Sequence, residues 1–131
     1  MKISLTLRPR RALPRAEAWA CLSANLALPG AGSLAAGRKA GYAQMALAFG
    51  GLAVSVAAGI PMIEWGIANW GRIMQPAPAD DPLGPLLELW VHARWPLAGI
   101  GIFLAGFLWA AATGLRLVAG APRDGVPPRI V

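Results

Sequence analysis

Charge is what this chain has least of. Only 14% of its 131 residues are Asp, Glu, Lys or Arg, against roughly 25% in a soluble domain. Two long stretches, 40–63 and 95–115, carry no formal charge at all, which excludes an ordinary water-facing surface over both. A single cysteine, Cys21, excludes an intramolecular disulfide, and one thiol with one histidine falls short of a metal-ligand set. Because ionisable residues inside an apolar span are costly and usually functional, their absence from both stretches leaves no intramembrane acid, base or proton relay to assign. Ser55 and Thr113 have no base near them in sequence, so each is read as bonded to its own helix backbone or packed on a neighbour. No catalytic residue, cofactor site or metal site is assigned, and the chain is not read as an enzyme.

Apolar residues, by contrast, make up 56% of the chain, with sixteen glycines and six tryptophans against one tyrosine. Residues 40–63 would form a helix of about 36 Å and 95–115 one of about 31 Å, each enough to cross a hydrocarbon core of about 30 Å. Pro96 then falls in the first turn of the second span, where its missing N–H does no harm. Gly51, Ser55 and Gly59 recur every four residues in the first span, as do Gly106, Ala110 and Gly114 in the second. Such small-residue ridges let helix backbones approach closely in lipid, and the two are expected to face each other. The fold class that follows is an all-α integral membrane protein, a two-span helical hairpin.

Between residues 25 and 44 lies a bend: Asn25, Pro29, Gly30, Gly32, Ser33, Gly37, Arg38, Gly41 and Gln44 fall within twenty residues. Pro29 disfavours helical geometry at Leu28, and the glycines permit dihedrals and close approaches that a side chain forbids. Gly32 to Lys39 has the glycine spacing of a phosphate loop, but Arg38 stands where the loop needs Lys, and Lys39 where it needs Ser or Thr. Gly30-Ala-Gly32-Ser-Leu-Ala35 follows no strand and precedes no suitably placed acid, which excludes a dinucleotide fingerprint. Gln44, at the start of the first span, could bond a neighbouring backbone, but the expectation is that it snorkels to the interface.

The Pro29-Gly30-x-Gly32 run followed by Gly37, Gly41 and Gln44 resembles the glycine-patterned turn of small bacterial membrane proteins, including the two-transmembrane TM-domain family. The resemblance covers about twenty residues. It implies a helical-hairpin membrane protein, in families whose biochemical role is mostly unassigned, and it supplies no catalytic residue.

Ahead of the bend, 18–28 is uncharged but only about 16 Å long as a helix, too short to cross alone. With the bend, 18–37 reads as a re-entrant or interfacial helix; a full crossing and a cleaved secretory signal are the alternatives. Residues 1–17 form a basic tail and 117–131 a C-terminal tail. The connecting loop, 64–94, is expected to lie outside the membrane. Within it, 64–75 lies along the surface with Trp65 and Trp70, 76–82 turns, and a second interfacial helix precedes Trp95. Glu88 and His92, four apart there, are read as a solvated polar pair.

Ten of the twelve Lys and Arg residues fall on one side of this arrangement if 18–37 turns back, leaving Arg72 and Arg94 on the other. Cytoplasmic flanks carry that excess, so both termini are expected in the cytoplasm; the resemblance to small bacterial proteins implies that the membrane is a bacterial cytoplasmic (inner) one. The basic residues do not line a helical face, which argues against nucleic acid; the partners expected are membrane lipids with anionic headgroups, and another membrane protein or a second copy. The function expected is of a structural, accessory or interaction type acting through lateral helix packing. An oligomeric minimal transporter or pore is the alternative, followed by a membrane-bound enzyme.

Overall fold

The computed structural model describes residues 13–123; the outer parts of both expected tails lie outside them. The described residues are helical and contain no strand: α1 (Arg15–Ala27), α2 (Ala31–Ala35), α3 (Ala40–Ala68), α4 (Trp70–Ile73) and α5 (Gly84–Ala119). Two of these, α3 and α5, are long and apolar enough to cross a membrane. Neither resembles the core helix of a soluble protein, since only 11% and 28% of their most apolar windows are buried.

Helix boundaries in the connecting segment differ from the sequence expectation. The interfacial helix and the second span are one 36-residue helix, with Pro96 in its interior. A proline there removes one N–H, so the carbonyl of His92 loses its helical donor, but the apolar segments on either side both favour helix and the axis continues. Pro85, at the first helical turn of α5, is the proline that marks the start. Likewise α3 runs on through Pro61, Glu64 and Trp65 to Ala68, and only Trp70–Ile73 remains as a short separate helix. At about 43 Å and 54 Å, α3 and α5 both exceed the hydrocarbon thickness.

Contacts along the two long helices run in opposite directions, so α3 and α5 are antiparallel. Gln44 meets Thr113, Ala48 lies on Gly106 and Gly51 on Gly99 and Phe103. Farther along, Ser55 reaches Pro96 and Trp65 stacks on His92. The contacts at Gly51 and Gly99 are between backbones: a Cβ on Gly51 would lie 2.6 Å from the Gly99 carbonyl oxygen, and one on Gly99 would lie 2.6 Å from that of Gly51. Helix α1 lies antiparallel to α5 as well, with Leu22 against Gly114 and Asn25 against Ala110.

Candidate functional site

Where α1, α2, α3 and α5 meet, the molecule buries four polar side chains: Asn25, Ser33 and Gln44 completely, Thr113 nearly so. Asn25, on the last turn of α1, accepts from the Ser33 backbone N–H at 3.0 Å. Its amide nitrogen donates to the Ser33 hydroxyl at 3.2 Å and to the Ala110 carbonyl at 2.9 Å. Ser33 is the third residue of α2, whose N-cap is Gly30 and offers no side chain. Asn25 thus satisfies, from another helix, a donor that an N-cap residue would ordinarily take. The same amide ties α1 to α2 and both to α5.

A second polar contact lies alongside. The Gln44 amide nitrogen donates to the Thr113 hydroxyl at 3.0 Å, and that hydroxyl donates to the Trp109 carbonyl at 2.9 Å. Gln44 Oε1 is buried without a hydrogen-bond partner. The expectation that Gln44 snorkels is therefore corrected: the residue sits on the inward face of α3, where position 44 continues the spacing of Ala48 and Gly51. Thr113 does bond its own helix, but Ser55 does not; its hydroxyl donates across to the Pro96 carbonyl at 3.0 Å.

Each residue of the bend has a separable reason to be there. Gly30 has φ 95 and abuts the Gly41 carbonyl, so both its dihedral and its space demand glycine. Gly41 in turn abuts the Gly30 carbonyl, and Gly32 lies on the Cys21 carbonyl with no room for a Cβ. Gly37 has φ 71 but open space around it; the left-handed turn alone requires it. Pro29 is buried, and the Arg38 N–H closes the turn on the Ser33 carbonyl at 2.8 Å.

The two ridges meet differently from the expected pairing. Gly51 packs on Gly99 rather than on the Gly106 to Gly114 row, Gly59 has no atom near the place of its missing side chain, and Gly114 faces Leu22 of α1. Helical geometry explains this: steps of four residues drift about 40° each, so Gly59 lies about 80° around the helix from Gly51. The seam instead alternates steps of four and three, through Gln44, Ala48, Gly51 and Ser55 on one helix and Gly99, Phe103 and Gly106 on the other, with Thr113 a further seven residues along. Gly99 and Ala48 could have been found from that alternation, which keeps contacts on one stripe.

At the opposite end Arg72 forms a bidentate pair with Glu88, both contacts 2.7 Å, and donates to Asn69 at 2.9 Å. The Glu88 hydrogen bond, reinforced by its charge, raises the Arg72 pKa, which keeps that side chain cationic at any working pH. The His92 ring stacks on Trp65 at 4.1 Å and its Nδ1 lies 2.9 Å from the Glu88 carbonyl. The carboxylate of Glu88 therefore turns to Arg72 and not to His92. Beside them Ile73, Pro76, Pro82, Leu86 and Leu89 line an open cleft of about 430 Å³. No group of three His, Cys, Asp or Glu side chains with metal-binding geometry occurs among the described residues.

These arrangements define an all-helical protein with two antiparallel apolar helices and a polar knot at one end. Comparison with protein-family models, curated proteins and solved structures finds no match.

Proposed function

We propose that this is a small integral membrane protein of structural or accessory type, in a bacterial cytoplasmic membrane, with α3 and α5 crossing as a hairpin and α1–α2 entering one leaflet and returning. The observation that carries the reading is the outward-facing apolar surface of the two long helices. Phe49, Val56, Ile60 and Ile63 on α3 and Leu97, Ile100, Leu104 and Leu108 on α5 are all exposed. In water such a continuous surface is unfavourable, whereas lipid or a neighbouring span covers it at no cost.

Depth supports the re-entrant reading. Asn25, near the tip of α1, meets Ala110, six residues inside Arg116 and so only about 9 Å along an axis that must traverse about 30 Å. The small-residue seam is taken up within the molecule. Lateral contacts with another membrane protein or a second copy would therefore use the outer faces, where Gly50, Gly59, Gly66 and Gly101 have open space. Alkaline carbonate treatment of native membranes tests the first claim: the protein should stay in the pellet, and release into the supernatant would refute it. Purification in mild detergent from the same membranes should recover a stoichiometric membrane-protein partner or a homo-oligomer; a lone monomer would refute the accessory role.

A further inference from the structure

The antiparallel register gathers cations that are far apart in sequence. Arg15 opens α1, Arg38 and Lys39 precede α3, and Arg116 sits in the last turn of α5. Because Gln44 lies level with Thr113 and Leu22 with Gly114, these four groups come to one end of the molecule. Glu17 is the sole carboxylate at that end among the described residues, and none of the four cations has an ion-pair partner among them; the ion pair found there joins Arg72 to Glu88 at the opposite end. That opposite end carries Arg72 and Arg94 against Glu64, Asp80, Asp81 and Glu88, so the surplus of positive charge is confined to one side.

Apolar groups lie about one turn inward from Arg15 and Lys39 and directly beside Arg116. Trp19 follows Arg15, Tyr42 follows Lys39 and Leu115 adjoins Arg116, and these three are 50%, 69% and 57% exposed. Arg38 is half-buried in the turn, its backbone held by Ser33 and Gly41 on either side, so its guanidinium starts from a fixed point. Cation above and apolar surface below complement one chemical class, an amphiphile with an anionic head.

We propose that this end is a docking surface for anionic phospholipids of the adjoining leaflet, with Arg38, Lys39 and Arg116 taking the phosphate and Tyr42, Trp19 and Leu115 lying along the acyl chains. Arginine binds phosphate in a bidentate fork and lysine as a point charge, while the apolar patch favours a lipid over a free phosphate of the same charge. The proposal rests on the membrane reading given above, which carbonate treatment tests separately.

The test uses the full chain purified in dodecyl maltoside, exposed to dioleoyl phosphatidylglycerol, to dioleoyl phosphatidylcholine, or to glycerol phosphate, with bound lipid counted by native mass spectrometry. Phosphatidylglycerol should be retained about fivefold more than phosphatidylcholine, should be displaced by high salt, and should resist an equal concentration of glycerol phosphate. The triple variant R38Q/K39Q/R116Q should lower its retention to the phosphatidylcholine level with an unchanged melting temperature in lipid-free detergent. Should that variant not fold, the exposed pair K39Q/R116Q should still lower retention about twofold. Equal retention of the two lipids, full competition by glycerol phosphate, or variants that keep the preference would overturn the proposal.

Discussion

Asn25 and Gln44 are both buried amides, yet their loss should have different consequences. Asn25→Leu strands the Ser33 N–H and hydroxyl, and should cost about 2 kcal/mol. Gln44→Met keeps a similar volume, gives up one bond to Thr113 and removes the unpartnered Oε1; it should cost under about 1 kcal/mol. Thermal unfolding in detergent separates them, and equal losses would show that Gln44 has a partner of its own. At Gly37 the requirement is the dihedral alone, so Gly37→Ala should destabilise by about 1 to 2 kcal/mol and Gly37→Asn by less, because asparagine tolerates the left-handed region. Equal behaviour of the two would mean that the turn relaxes. The sequence marks Asn25, Ser33 and Gln44 as members of one bend, since they stand among its glycines. It could not reveal that Asn25 reaches Ala110, eighty-five positions away, because nothing in either local sequence encodes that pairing.

Among the elements, α3 and α5 were legible from their charge-free lengths, and the short α1 from the proline that follows it. Their ends were less so. Proline is a reliable stop only where the chain beyond it has no reason to stay helical, and beyond Pro96 and Pro61 both flanks do. The seam was half legible: small residues announce close packing, but fixed steps of four misplace the stripe, and Gly99 becomes visible only when threes and fours alternate. This separates two substitutions that look alike in sequence. Gly99→Leu drives a side chain into the α3 backbone at Gly51 and Ser55, whereas Gly59→Leu enters open space. The first should cost about 3 kcal/mol or prevent recovery of monodisperse protein, and the second should leave the melting temperature within a degree or two. A Gly59→Leu variant that keeps its melting temperature but loses a co-purifying protein would place that partner on the outer face of α3.

For the molecule as a whole, the proposed orientation rests on the asymmetry between its two ends. One end gathers Arg15, Arg38, Lys39 and Arg116 around the polar knot, and the other pairs Arg72 with Glu88 beneath a proline-rich loop. If α3 and α5 cross the membrane and α1–α2 turns back, the basic end and both termini share the cytoplasmic side. Cysteine accessibility in intact cells tests this most directly. In a Cys21→Ala background, Asp80→Cys should react with a membrane-impermeant maleimide, while Arg123→Cys should react only after the membrane is permeabilised. Labelling of position 123 in intact cells, or protection of position 80, would contradict the arrangement.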